Sequence, residues 1–304
     1  MTALLPTDAR KSFVSDVCVR AITEQGELKM KKFDGLLICT DLDGTLLGSD
    51  GRVSKENLEA IEYFKDKGGA FTYVTGRLPC CVAGIYDMIK PNVPMGVING
   101  GGIYDYSAGK YLRKKELSSE VMELVELAER NVEGIGIQVN TFETVYFSQE
   151  NSAMEWFRRV TGMPNVVRHY RAVDEPIAKI VFGDKRVEAI EQLMKLLKTH
   201  PLSEKFDFIR SEKALYEILP KGANKGCIIP QLCEIIGISP EKTVAVGDYN
   251  NDVSMLRAAH IGIAVANAVP EAKAAADRIT VSNDEHALAR IIHDIEAGEI
   301  FPNT

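Results

Sequence analysis

Short apolar runs alternate with helical patterns between residues 35 and 98; this rhythm then stops, gives way to a different one, and resumes after Pro220. Residues 36–40 are a nearly continuous apolar run, as in a parallel strand buried on both faces. Ser54 caps a helix with Leu58, Ile61 and Phe64 on one side, closed by Gly68-Gly69. A second strand is predicted over 70–74 and a third over 94–98. Between them Pro79 opens a helix whose stripe is Val82, Ile85 and Ile89. Strands separated by helices predict a right-handed, doubly wound parallel sheet, so the fold class is α/β.

The interruption has its own pattern. A hairpin centred on Ser107-Ala108-Gly109 is followed by helices near 118–131, 150–161 and 185–199, interleaved with strands near 135–140, 144–147, 177–182, 206–210 and 214–219. After Pro220 the first rhythm returns, with helices at 225–236, 252–259, 270–276 and 285–297 and strands at 243–246, 261–265 and 278–281. The predicted organisation is therefore a discontinuous core, 33–102 and 220–304, with an α+β module at 103–219 inserted into it. Residues 1–32 read as an N-terminal extension, in which Phe13, Val14, Val17, Cys18, Ala21 and Ile22 fit one helical face; Met30 is an alternative start.

A length of 304 residues suits two domains, and 36 basic against 43 acidic residues leave a formal charge of -7. That balance argues against a dedicated nucleic-acid binder, whose footprint is a basic stripe. No apolar run reaches the ~18–20 residues needed to span a bilayer, so no membrane partner is expected. The six cysteines show no C-x-x-C pair, and the first thirty residues hold no continuous apolar segment of secretory type. Isolated thiols suit a reducing compartment, and the expected location is cytoplasmic. Nothing in the pattern speaks to oligomeric state.

Ligands of a parallel sheet bind beyond the carboxyl ends of its strands. Those ends carry Asp41-Leu42-Asp43-Gly44-Thr45, Thr75-Gly76-Arg77, Asn99-Gly100 and the segment from Gly247-Asp248 to Asn251-Asp252, while Lys225 starts a helix. In an extended segment Asp41 and Asp43 point the same way and repel, which a cation relieves. With Asp248 and Asp252 they make an all-oxygen set, the preference of Mg²⁺. An Asp carboxylate can also act as a nucleophile toward phosphorus. Lys225, Thr75 and the backbone N–H groups of Gly44-Thr45 offer the positive charge and donors that a transferring phosphoryl group needs. Taken singly, each has a blander reading: Asp-x-Asp as a solvated turn, Asp248 as a helix cap, Asn99-Gly100-Gly101-Gly102 as a flexible crossing. No P-loop is present, and Gly134-Ile135-Gly136 lacks the full dinucleotide fingerprint.

The four segments in order resemble the motifs of the haloacid dehalogenase-like phosphatases, beginning with D-x-D-G-T at Asp41 to Thr45. The size of the insertion resembles the large α/β cap of the Cof-type hydrolases, as does the loop Val265-Ala266-Asn267-Ala268 with Glu271, Lys273 and Asp277. This resemblance implies a Rossmann-like core and a Mg²⁺-dependent phosphatase hydrolysing a small phosphorylated metabolite, such as a sugar phosphate, through an aspartyl-phosphate intermediate. It makes Asp41 the nucleophile and Asp43 the general acid/base, with Asp41, Asp43 (through its carbonyl), Asp248 and Asp252 around the metal. Thr75 and Lys225 hold phosphoryl oxygens; Gly44, Thr45, Gly76, Arg77, Asn99 and Asn251 are the remaining substrate-side residues. Tyr249 departs from the small residue common at that position and bears on substrate size. Lys179, His169 and Arg77 are candidates for the surface that selects the substrate. The alternatives are a phosphosugar mutase or phosphotransferase, and a binder of phosphometabolites without turnover.

Overall fold

The computed structural model describes residues 31–301, so the helical face expected before Met30 lies outside the described residues. Two compact units emerge. One takes the described residues up to Val74, with Gly84–Met95 and those from Lys225 onward; the other takes Thr75–Ala83 and Gly96–Asn224.

Along the chain, β1 (Leu37–Thr40), α1 (Lys55–Asp66) and β2 (Ala70–Tyr73) form the first repeat. Every residue of β1 and β2 is buried, which explains their unbroken apolar character. Ser54 caps α1 by accepting from the Asn57 N–H, as its position before a helical stripe predicts. After α2 (Ala83–Ile89), β3 (Met95–Val97) differs from the expectation. It is not a third strand of the parallel sheet but the edge of a three-stranded sheet with β4 (Gly102–Asp105) and β5 (Lys110–Lys114). The glycine run 100–102 turns the chain at once into the hairpin, and hairpin pairing takes β3 with it.

The second unit continues with α3 (Val121–Asn131), β6 (Gly136–Thr141), β7 (Val145–Gln149), α4 (Ser152–Thr161), β8 (Val166–Val167) and β9 (Ile177–Gly183). It closes with α5 (Val187–Thr199), β10 (Phe206–Glu212) and β11 (Leu215–Pro220). These strands make one six-stranded sheet in the order β10-β11-β9-β6-β7-β8, antiparallel except where β8 joins β7. Val121, Leu124, Val125 and Ala128 of α3 and Ile190, Leu193 and Leu197 of α5 share a core with Ile137, Val139, Ile180, Phe182 and Ile218 of the sheet. Gln138, Asn140, Lys179 and Glu217 on the same strands are buried too.

The chain returns through α6 (Ile228–Ile236), β12 (Thr243–Gly247), α7 (Val253–Ala258), β13 (Ile261–Ala264), α8 (Pro270–Ala275), β14 (Arg278–Ile279) and α9 (Ala287–Glu296). The five-stranded sheet is parallel throughout, in the order β14-β13-β12-β1-β2. This order brings the ends of β1 and β12 side by side, with Thr40 in register with Val246. Gly237 ends α6 in the left-handed conformation at φ 73°, as a C-terminal glycine predicts. Among the described residues no helix is long and apolar enough to cross a membrane.

Candidate active site

Asp41 leaves β1 with its N–H bonded to the Val246 carbonyl at 2.9 Å, so the ladder between β1 and β12 extends into the site. Asp248 directly follows the end of β12, and Asp252 stands at the start of α7. Carboxylate oxygens of Asp41, Asp248 and Asp252 lie within 4.8 Å of one another. Lys225 enters from a short 3₁₀ turn before α6, fully buried, with its Nζ 2.5 Å from Asp41 Oδ1 and 2.5 Å from Asp252 Oδ1. Gly226 lets that turn approach α7, since a Cβ there would meet the Ser254 carbonyl oxygen at 2.3 Å.

Burial pushes the Asp41 carboxyl well above the usual range, and Asp252 adds to it, against the opposing Lys225. Asp248 is pushed up to about 7, again by burial first and Asp252 second. Burial works against the Lys225 ammonium, but Asp252 and Asp41 outweigh it and raise its affinity for the proton. One ammonium therefore stands against three carboxylates, a set whose oxygens could hold a cation.

Each carboxylate is held by its surroundings. Asp252 Oδ2 accepts from the N–H groups of Asp248 and Tyr249 at 2.9 and 3.0 Å, which fixes the loop between them. Asp248 Oδ1 accepts from the Thr45 hydroxyl at 2.8 Å. Gly44 has φ 79°, and a Cβ on it would come within 2.6 Å of Asp248 Oδ2, so both backbone and space demand glycine. Its carbonyl accepts from Asn267 Nδ2 at 2.8 Å.

Three further sequence candidates take these places. The chain turns at Leu42 instead of running extended, so Asp43 is exposed and stands outside the three-carboxylate cluster, while Asp41 is buried within it. Thr45, read as a substrate contact, gives its hydroxyl to Asp248 and its N–H to the Leu42 carbonyl at 3.3 Å. Asn251 is buried beside Asp252 in sequence.

Thr75, Gly76, Arg77 and Asn99 belong to the second unit. Thr75 and Asn99 are buried, and the Thr75 hydroxyl accepts from the Arg77 N–H at 3.1 Å. Asn99 donates its N–H to the Thr75 carbonyl at 3.0 Å and its Nδ2 to Glu217 at 3.0 Å.

The sequence pattern described as haloacid dehalogenase-like hydrolase matches residues 38–292. The chain belongs to the haloacid dehalogenase-like hydrolases. YxeH of Bacillus subtilis (strain 168) is 30% identical over 270 residues, covering 85% of this chain and 97% of the relative. The 5-amino-6-(5-phospho-D-ribitylamino)uracil phosphatase YwtE of the same organism is 29% identical over 289 residues, covering 86% and 98%. A solved haloacid dehalogenase-like hydrolase from Bacteroides thetaiotaomicron superposes with a TM-score of 0.76 at 25% identity, covering 87% of this chain and 100% of the other.

In this haloacid dehalogenase-like hydrolase, two further groups bear on the site and were not singled out for that role. Asn267 braces the Gly44 turn, and its own Oδ1 accepts from the Asn283 N–H at 3.0 Å. Glu217 meets Asn99, but a single Glu in an alternating strand carries no signal that separates it from a solvated residue.

Proposed function

We propose that this hydrolase is a Mg²⁺-dependent phosphatase acting on a small phosphorylated metabolite through an aspartyl-phosphate at Asp41. The observation that carries it is the packing of Asp41, Asp248 and Asp252 around the buried Lys225 ammonium. Three carboxylates with oxygens this close are hard donors that suit Mg²⁺, and burial first and the neighbouring Asp252 second raise the proton affinity of Asp41 and Asp248, a cost that a cation relieves. Asp41, Asp248 and Asp252, with the Asp43 main-chain carbonyl, would hold it. When bound it supplies positive charge against the phosphoryl oxygens and keeps the carboxylates ionised.

The remaining chemistry lies with the chain. An Asp41 carboxylate oxygen attacks phosphorus, the bond to the leaving oxygen breaks, and the Asp43 carboxyl gives that oxygen its proton. Asp43, now ionised, takes a proton from a water whose oxygen attacks the same phosphorus. The bond to Asp41 breaks and inorganic phosphate leaves. Exposure of Asp43 suits a group that must reach both leaving oxygen and water, and burial of Asp41 suits a nucleophile kept from competing solvent. Lys225 neutralises Asp41 between turnovers, and the Thr75 hydroxyl holds a phosphoryl oxygen, with Gly76, Arg77, Asn99 and Asn251 completing the substrate side.

The module at 103–219 is proposed as the cap that selects the substrate. Relatives whose names specify a phosphorylated ribityl chain on a pyrimidine support sugar and sugar-alcohol phosphates as the first class to try. Free thiols at all five described cysteines support a cytoplasmic setting. The test is phosphate release from p-nitrophenyl phosphate and a panel of sugar phosphates. Release that stops with chelator and returns with Mg²⁺ is the expected result; an isomerised sugar phosphate without release would replace this reading with a mutase.

A further inference from the structure

We propose that Lys179 and Glu217 clamp the Thr75-Gly76-Arg77 loop, positioning it for the reaction without touching the substrate. The proposal rests on the reading of Thr75 as a phosphoryl-holding residue.

Lys179 on β9 and Glu217 on β11 are 4% and 3% exposed, with Nζ 2.8 Å from Oε2. Two opposite charges withdrawn from water gain little net stability over an apolar pair of similar size, so their worth lies in what they orient. Lys179 Nζ also donates to the Gly76 carbonyl at 3.1 Å. The Glu217 oxygen that accepts from Lys179 accepts from Asn99 Nδ2 as well, at 3.0 Å.

Through Asn99 the pair reaches the same loop by a second route. The Asn99 N–H bonds the Thr75 carbonyl at 3.0 Å, and the Ile98 N–H bonds the Arg77 carbonyl at 3.1 Å. Three consecutive carbonyls, of Thr75, Gly76 and Arg77, are thus each held by one donor, from Asn99, Lys179 and Ile98. The Asn99 amide also packs against Gly76, where a Cβ would come within 3.0 Å of it.

Backbone strain points the same way. Ile98, Asn99 and Gly100 take φ values of 59°, 50° and 96° in succession. The left-handed region suits Gly and is tolerated by Asn, but it is unfavourable for β-branched Ile. Such a conformation persists only where its surroundings over-determine it, and it clusters at functional sites. Here the Glu217–Asn99 bond and the two N–H bonds to the loop supply that determination. The result fixes the Thr75 hydroxyl, already oriented by the Arg77 N–H, on a loop with no slack.

The experiment compares Lys179→Met and the double variant Lys179→Met/Glu217→Leu with the parent. For Lys179→Met, kcat on p-nitrophenyl phosphate should fall on the order of 100-fold, as for a reacting group misplaced by about 1 Å. Inhibition by inorganic phosphate should weaken, while the Mg²⁺ concentration for half-activation should not move, because the carboxylate cluster belongs to other elements. The double variant should recover the parent's melting temperature and keep the low kcat. Recovery of kcat along with stability would make the pair merely structural and overturn the proposal, as would an unchanged kcat in Lys179→Met or failure of both variants to fold. Thr75→Val and Asp41→Asn run in parallel separate the two readings. Loss of turnover in both, with Lys179→Met active, sinks the clamp alone, whereas an active Asp41→Asn sinks the phosphatase reading beneath it.

Discussion

Lys225 Nζ lies 2.5 Å from Asp41 Oδ1, and the ammonium has no exposed surface. The two residues stand 184 positions apart and meet because β12 pairs with β1, which sets the return of the chain against the end of the first strand. A charge buried this completely is tolerable only with its partners in place. Lys225→Met leaves Asp41 and Asp252 facing each other in low dielectric. It should destabilise the metal-free protein by about 3–5 kcal/mol. Urea unfolding in chelator measures this, and a loss below about 1 kcal/mol would contradict the buried pairing.

Thr45 supports Asp248 through one hydroxyl. Thr45→Val keeps the shape and removes the donor, so Asp248 is oriented less well. Partners of this kind are worth about 10–100-fold in metal affinity or activity. The Mg²⁺ concentration giving half-maximal turnover should rise by that range, with maximal kcat less affected. Unchanged Mg²⁺ dependence would mean that this hydrogen bond does not orient a metal ligand.

Cys80 gives a pH-dependent signature. The Cys81 thiol, with Sγ 3.7 Å away, brings the Cys80 thiol down to about 7, against the effect of burial. Lowering favours the thiolate, so alkylation by iodoacetamide should rise through pH 7 and level off near pH 8. An ordinary cysteine would still be gaining reactivity there. Cys81, pushed the other way by its hydrogen bond to Cys80, should lag far behind. Peptide mapping by mass spectrometry across pH 6–9 reads both; a Cys80 midpoint near 9 contradicts the contact.

The reach of sequence reasoning can be followed residue by residue. β1 and β2 were legible because strands buried on both faces leave an uninterrupted apolar run, and Gly237 because a helix end favours a residue free to take positive φ. β3 was not, because a three-residue strand reads the same whether it joins a parallel sheet or a hairpin. Asp41, Asp248, Asp252 and Lys225 were legible as a group, since strand ends in a parallel sheet converge. The differing exposure of Asp41 and Asp43 was not, because Asp43-Gly44 announces a turn but not which of the two carboxylates tertiary packing covers. The buried face of Lys179 and Glu217 was hidden for a related reason: period-two polarity marks a face, and only tertiary packing decides whether water reaches it.

The central claim is that Asp41 forms a bond to phosphorus, and Asp41→Asn tests it most directly. An amide is nearly isosteric, keeps a hydrogen-bonding partner for Lys225, and lacks the nucleophilic oxygen anion. Steady-state turnover of p-nitrophenyl phosphate with saturating Mg²⁺ should fall by on the order of 10³-fold or more, while circular dichroism shows the fold retained. Turnover within about tenfold of the parent would mean that Asp41 is not the nucleophile, and would contradict the mechanism built on it.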